Sequence, residues 1–152
     1  MSRILVVEDE GPIRDLLVKV LEIEGYSTRG VGSAPEAIDT LDEETFDLVV
    51  LDLMLGAASG FEVIGMEEHG HRPGTRVLVL TARASERDVL EGWRHRVDEY
   101  RTKPFGTPEL LDAIRDTLNR TPEETAKLRE AEVRRAELFT SLESVFDERS
   151  SH

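Results

Sequence analysis

The residues that could do chemistry in this chain are polar side chains that directly follow short apolar runs. If each run is a strand of one parallel sheet, these side chains meet beyond the carboxyl ends of the strands, where such sheets bind their ligands. They are Glu8, Asp9 and Glu10 after the first strong run, Asp52 after the next, Thr81 at the end of a third, and Lys103 after the last.

The types of these residues indicate phosphoryl chemistry assisted by a metal ion. Clustered carboxylates repel one another unless a cation neutralises them, and oxygen ligands without histidine or cysteine favour Mg²⁺. A carboxylate such as Asp52 can act as a nucleophile toward phosphorus and form an acyl phosphate. Mg²⁺, the Lys103 amine and the Thr81 hydroxyl would then stabilise the charge on the phosphoryl oxygens.

The elements that must position these residues alternate between strand and helix. Apolar runs predict strong strands at 4–7, 48–51 and 76–80, and 26–31 and 99–102 are predicted as a weak and a short strand. Apolar spacings of three and four residues predict the intervening helices. Such alternation predicts an α/β fold, a doubly wound five-stranded parallel sheet with helices on both faces. By analogy with flavodoxin-like folds, we expect the strand order 2-1-3-4-5. The helices are predicted at 12–24, from Ser33, from Ser59, at 85–93 and at 107–118, the last capped by Thr107-Pro108, and Gly25 is predicted to stop the first.

A further helix is predicted after residue 120. Thr121-Pro122-Glu123-Glu124 has the form of a capping box, and no Gly or Pro interrupts the chain up to about Asp147. We therefore expect a domain at 1–120 and a C-terminal helical extension at 121–152. Its apolar stripe suits packing on its own domain or on a second copy, and its acidic residues outnumber its basic ones, so it is not a basic arm for DNA.

Composition excludes several classes of protein. The formal net charge of the 152-residue chain is −13, so it is a poor general partner for nucleic acid or an anionic membrane. The absence of cysteine rules out disulfides and thiolate metal sites. The first apolar run is too short for a signal peptide or a membrane span. We expect a soluble cytoplasmic protein that binds neither nucleic acid nor membrane directly.

Four segments carry a resemblance to a known family. They are Ile4-Leu5-Val6-Val7-Glu8-Asp9-Glu10, Val49-Val50-Leu51-Asp52-Leu53-Met54-Leu55, Leu80-Thr81-Ala82-Arg83 and Tyr100-Arg101-Thr102-Lys103-Pro104-Phe105. Together and in this order, they make residues 1 to about 120 resemble the CheY-like receiver domain of bacterial two-component response regulators.

The resemblance implies a role for each site residue. Asp52 would accept a phosphoryl group from a sensor histidine kinase or a phosphotransfer protein, with Lys103 and Thr81 binding the phosphoryl oxygens. Tyr100 would turn inward with Thr81 as a switch, and the Lys103-Pro104 bond would be cis. Mg²⁺ would be held by Asp9, by Glu8 largely through water, by Asp52 and by the backbone carbonyl of Met54.

The chain departs from the family pattern in three places. Gly56 replaces a common proline four residues after the acceptor, which predicts a looser loop. Arg96-Val97 replaces the usual Gly-Ala step, so the end of the preceding helix is not fixed by glycine. Glu8 stands where aspartate is commoner.

Alternative interpretations remain open for these residues. Glu8 and Asp9 could only cap the first helix, Tyr100 could be core rather than switch, and Trp93 is expected in the core. A magnesium-dependent phosphatase would need an acid where Met54 stands, which disfavours that function. By the resemblance, we expect a signalling switch that catalyses only its own phosphorylation and dephosphorylation, and not an enzyme with a turnover substrate. Its output would be protein binding or self-association, through the face formed by 85–93, 99–102 and 107–118 or through the last helix. The competing hypothesis is a dimerising scaffold built on that helix.

Overall fold

Five parallel strands form the central sheet of the protein. The computed structural model describes residues 2–55, 58–59, 74–82, 85–95 and 97–150. In spatial order the sheet strands are β2 (Ser27–Val31), β1 (Arg3–Val7), β3 (Leu48–Leu51), β6 (Arg76–Thr81) and β7 (Glu99–Thr102). Counted within this sheet alone the order is 2-1-3-4-5, which confirms the predicted flavodoxin-like topology.

The inner strands are buried on both faces, which explains their unbroken apolar sequences. Val6 of β1 pairs in register with Val50 of β3, and Val50 pairs with Leu78 of β6. All three side chains are at most 3% exposed. Strand β2 lies at an edge of the sheet and is mostly exposed, so it carries the polar and glycine residues that made its sequence signal weak.

Five described helices surround the sheet, and the first ends as predicted. After α1 (Gly11–Ile23), Gly25 has a φ of 98°, a left-handed conformation that favours glycine. The amides of Gly25 and Tyr26 donate to the carbonyls of Glu22 and Leu21, which satisfies the last turn of the helix. The others are α2 (Ala34–Glu43), α3 (Glu86–Arg94), α4 (Thr107–Asn119) and α5 (Pro122–Ser150).

Most of the predicted helix starts are confirmed, but the start of α4 is not. The hydroxyls of Ser33, Ser85 and Thr121 each accept a hydrogen bond from the amide three residues later. In α4, Thr107 is already helical, because the Leu110 amide donates to the Gly106 carbonyl. Gly106 is therefore the cap residue, without a side-chain hydrogen bond, and the prediction that Thr107-Pro108 caps this helix was wrong.

Ser59 belongs to a short hairpin that the sequence did not predict. Strands β4 (Met54–Leu55) and β5 (Ala58–Ser59) pair antiparallel, with Met54 opposite Ser59. The helix predicted from Ser59 and the loose loop predicted at Gly56 lie outside the described residues.

Two apolar cores lie on opposite faces of the sheet. One joins β1, β3 and β6 to α1 and α4. The other joins the same strands to α2, α3 and β7, and Leu128 and Val133 of α5 pack against it. Trp93 is 2% exposed in this second core, which confirms the prediction that it packs inside.

Helix α5 has a half that packs on the domain and a half that does not. Thr125 and Ala136 are buried, whereas Leu138, Leu142 and Val145 are exposed. The helix runs to Ser150, slightly beyond the predicted end at Asp147. The boundary at residue 120 stays a prediction. No helix in the described part of the chain combines the length and apolar character needed to cross a membrane.

Candidate functional site

Three of the predicted site residues meet at the carboxyl edge of the sheet. The Lys103 amine Nζ lies 2.9 Å from Asp52 Oδ2 and 3.3 Å from Glu8 Oε2. The Glu8 and Asp52 side chains are 5% and 8% exposed, and Lys103 is 24% exposed. A single amine therefore bridges two buried carboxylates that come from distant parts of the chain.

The backbone at the strand ends fixes this meeting point. The Asp52 amide donates to the Val7 carbonyl of β1, at 3.1 Å. The Lys103 amide donates to the Thr81 carbonyl of β6, at 2.8 Å. Each bond extends the pairing of two parallel strands by one residue past the last paired residues. The strand pairing therefore positions the backbone of Asp52 and Lys103 at this edge.

The Asp52 carboxylate is held through both of its oxygens. Oδ1 accepts a hydrogen bond from the Met54 amide at 2.9 Å, while Oδ2 accepts from Lys103. Because Met54 begins the β4–β5 hairpin, that hairpin fixes the donor that orients the carboxylate. The Met54 side chain itself points to solvent, 54% exposed.

The charges of the site are incompletely balanced. Burial raises the pKa of Glu8, and the negative charge of Asp52 raises it further, against the opposing effect of Lys103. Burial alone would lower the pKa of Lys103, but the hydrogen bond and charge of Asp52, with those of Glu8, raise it overall. Two carboxylates thus share one amine, and the site favours additional positive charge.

Thr81 and Tyr100 lie beside this site in the sheet. Thr81 is fully buried at the end of β6 and pairs in register with Thr102 of β7. Tyr100, two residues earlier in β7, is 8% exposed and packs in the second core. Its ring covers Gly92 of α3, where a Cβ would lie 2.6 Å from ring atoms Cδ2 and Cε2. The inward position of Tyr100 is a fact of the fold, and its role as a switch stays a prediction.

The remaining predicted acids are more exposed. Asp9 and Glu10 follow Glu8 at the surface. Across the described ranges, no group of three or more histidine or acidic side chains is arranged to hold a metal ion. The chemistry of the donors nevertheless suits Mg²⁺, because they are carboxylate oxygens carrying excess negative charge. The role of Asp9 as a metal ligand stays a prediction, and Arg96 lies outside the described residues.

One positioning residue at this edge was missed by the sequence reasoning. Arg14 of α1 donates from Nη1 to the Glu8 carbonyl, at 3.0 Å. It crosses the end of β2 beside two glycines, Gly30 in the strand and Gly32 just after it. A Cβ on Gly30 would lie 2.9 Å from Arg14 Cγ, and one on Gly32 would lie 2.6 Å from Nη1. Two glycines close together at an edge strand were the available signal for a long side chain lying across it.

The fold and the site define a class of protein, a doubly wound α/β domain with two buried carboxylates and one lysine at its sheet edge. The family model for the response regulator receiver domain matches residues 4–115. The chain therefore belongs to the response regulator receiver family of bacterial two-component systems, whose members are signalling switches.

Individual relatives support the same assignment. The transcriptional regulatory protein YvrH of Bacillus subtilis is 43% identical over 122 residues, which cover 79% of this chain and 50% of YvrH. The phosphate regulon transcriptional regulatory protein PhoB of Escherichia coli is 38% identical, covering 78% of this chain and 52% of PhoB. The chain thus spans about half the length of the curated relatives it matches.

Solved structures show the same fold. The response regulator TrrA of Thermotoga maritima, in complex with Mg²⁺-BeF, is 36% identical with a TM-score of 0.68, covering 77% of this chain and 99% of TrrA. The non-phosphorylated HemR receiver domain of Leptospira biflexa is 31% identical with a TM-score of 0.74, covering 80% and 97% respectively.

Proposed function

We propose that this protein is a switch that accepts a phosphoryl group on Asp52 from a sensor histidine kinase or a phosphotransfer protein. An Asp52 carboxylate oxygen attacks the phosphorus of a phosphohistidine, forming a P–O bond as the P–N bond breaks. The electron pair of that bond returns to the donor imidazole, which is left to take up a proton. The product is an aspartyl phosphate, the type of covalent intermediate open to a carboxylate.

The observation that carries this proposal is the contact of 2.9 Å between the Lys103 amine and the buried Asp52 carboxylate. An amine in this position can pair with the carboxylate before the reaction and then stabilise the negative charge on an incoming phosphoryl oxygen. Thr81, at the end of the neighbouring strand, supplies a hydroxyl for a second oxygen. The Met54 amide keeps the carboxylate oriented during the approach.

The residues assigned to Mg²⁺ are Asp9, Asp52, the Met54 backbone carbonyl and, through water, Glu8. Mg²⁺ bound there would supply positive charge to the phosphoryl oxygens. The excess negative charge of Glu8 and Asp52 over Lys103 supports this choice of cation, as does the Mg²⁺-BeF complex of TrrA.

The output of the switch would be a change in protein contacts. After phosphorylation, Thr81 would move toward the phosphoryl group and Tyr100 would follow it, altering the face of α3, β7 and α4. The switch would act in the cytoplasm on an output protein and would have no turnover substrate.

Phosphate incorporation tests the proposal directly. With Mg²⁺ and acetyl phosphate, we expect intact-protein mass spectrometry to show one added phosphate, with acetate released. Asp52→Asn should abolish the addition, because the amide is a poor nucleophile, while Asp39→Asn on the exposed side of α2 should leave it unchanged. A phosphate that persists in Asp52→Asn would show that another residue is the acceptor.

A second candidate function is a dimerising scaffold. The observation in its favour is the exposed apolar stripe of Leu138, Leu142 and Val145 on the distal half of α5. In this case the receiver domain would serve as a constitutive binding module, and self-association would not depend on phosphate.

A further inference from the structure

The proximal half of α5 lies on the face of α3 and β7. Ala136 is fully buried, and Leu128 and Val133 pack against the core that contains Trp93 and Tyr100. The extension is therefore more than an appendage to the domain. It occupies the face through which the proposed switch would act.

Polar contacts fix the position of α5 on that face. Arg129 Nη2 donates to the Val97 carbonyl at 3.3 Å and lies 3.9 Å from Asp98 Oδ1. Farther along the helix, Glu137 pairs with Arg94 of α3 at 2.8 Å. The second pair is more than half exposed and adds little free energy, but both contacts specify one register.

The contact between α5 and the domain is incompletely filled. A groove of about 620 Å³ remains between them, lined by residues that include Trp93 and Tyr100 on the domain and Leu128 and Arg135 on α5. An open groove of this size admits water, so the side chains beside it contact fewer protein atoms than they would in a closed core. The contact is therefore weaker than a closed core and suits a helix that can leave.

The same face is connected to the phosphorylation site. Tyr100 and Thr102 point to the same side of β7, and Thr102 is the register partner of Thr81. The Tyr100 ring lies in the groove beneath α5 and also covers Gly92 of α3. A movement of Tyr100 would change the surface that α5 contacts.

We propose that the α3–β7 face is a helix-binding surface which α5 occupies before phosphorylation, and that phosphorylation of Asp52 favours release of α5. This step rests on the proposed function. A partner that takes the vacated surface would present an amphipathic helix with a small residue at the position of Ala136 and an acid facing Arg94. A chain whose α5 is already released should populate the conformation favoured by phosphorylation more often, and should therefore be phosphorylated more readily.

Trp93 gives a direct readout, since it is the single tryptophan and lies in the groove beneath α5. We expect its emission to shift to longer wavelength when the full chain is treated with Mg²⁺ and acetyl phosphate. Ala136→Glu, which places a charge at a fully buried position, should show that shift before phosphorylation and little change after it. Its rate of phosphate incorporation should rise about fivefold or more, in proportion to the larger fraction of chains in the competent conformation.

The control is Ser141→Glu, which adds the same charge on an exposed position of α5. It should match the wild type in emission and rate. Should Ala136→Glu lose its α/β circular dichroism spectrum, Leu128→Ala weakens the same contact without a buried charge and is expected to act in the same direction.

The outcomes distinguish release of α5 from the phosphoacceptor function of Asp52. If the wild type incorporates phosphate on Asp52 but Trp93 emission stays constant, or if the α5 variant incorporates phosphate at the wild-type rate, α5 release is refuted and the phosphoacceptor function stands. If neither protein incorporates phosphate, the proposed function itself is wrong.

Discussion

Lys103 is bonded to two buried carboxylates, so its removal has a consequence for stability as well as for chemistry. Lys103→Met keeps most of the side-chain length but leaves Glu8 and Asp52 facing each other without their shared cation. We expect a loss of about 3 kcal/mol in the free energy of unfolding, measured by urea denaturation without divalent metal. Phosphate incorporation should fall in the same variant, because the charge on the phosphoryl oxygens loses a partner.

A double variant identifies the cause of that loss. Adding Asp52→Asn to Lys103→Met removes one of the two carboxylates, so the double variant should be more stable than Lys103→Met alone. Lys127→Met, at an exposed position of α5, serves as the matched control and should change stability by less than about 0.5 kcal/mol. Equal unfolding midpoints for wild type and Lys103→Met would contradict a stabilising role for the amine.

The sequence predicted which residues meet at this edge better than it predicted their individual contacts. The parallel sheet places the carboxyl ends of β1, β3 and β7 along one edge, with β6 between β3 and β7, so the sequence could predict that Glu8, Asp52 and Lys103 lie at that edge. The bridging of both carboxylates by one amine was not predictable, because it depends on side-chain rotamers. Arg14 was missed for a related reason. It contacts the backbone carbonyl of Glu8, and any residue at that position would offer the same carbonyl.

At the scale of elements, helix starts with a side-chain cap were predictable and others were not. The helix starts at Ser33, Ser85 and Thr121 have an N-cap side chain that accepts a hydrogen bond from the amide three residues later, a local pattern that is visible in the sequence. Gly106 offers no side chain for such a bond, and the sequence pattern indicated the neighbouring Thr107 instead. The β4–β5 hairpin was missed because two residues per strand are too few for an alternating pattern to be recognised.

Gly92 permits the close approach of α3 to β7. An added Cβ would lie 2.6 Å from two atoms of the Tyr100 ring, which is itself confined in the core. Alanine usually stabilises a helix by about 1 kcal/mol relative to glycine. We expect Gly92→Ala to lower the free energy of unfolding by about 1 to 2 kcal/mol instead, because overpacking outweighs this gain. Chemical denaturation of the full chain measures the difference.

The ring of Tyr100 is the stated cause, so its removal should reverse the sign. In a Tyr100→Ala background, Gly92→Ala meets no ring atoms and should be neutral or stabilising. A Gly92→Ala substitution that destabilises both backgrounds by the same amount would show that Tyr100 is not what glycine accommodates.

At the scale of the whole molecule, α5 has two halves with different surroundings. Its proximal half completes the core around Trp93, whereas its distal half presents Leu138, Leu142 and Val145 to solvent. Pattern reasoning left packing on the domain and packing on a second copy equally open, because both use apolar residues at helical spacing. The proximal half packs on the domain, and packing of the distal half on a second copy stays a prediction.

Self-association through the distal half would work against the charge of the chain. Each copy carries a formal charge of −13, so two copies repel each other at low ionic strength. Salt screens this repulsion without weakening the burial of apolar side chains. We therefore expect sedimentation equilibrium to show more dimer as salt is raised, with or without acetyl phosphate. Leu142→Glu should remain monomeric, because pairing would bury an uncompensated carboxylate.

Ser141→Glu is the control that distinguishes the effect of a charge within the apolar stripe from the effect of added negative charge in general. It adds the same carboxylate one residue away, outside the apolar stripe, and should dimerise nearly as well as the wild type. A wild type that stays monomeric at high salt and about 100 μM would exclude the scaffold, because association weaker than a Kd of about 100 μM, roughly −5.5 kcal/mol, does not hold two copies together constitutively. The apolar stripe would then have to serve a contact with a different protein.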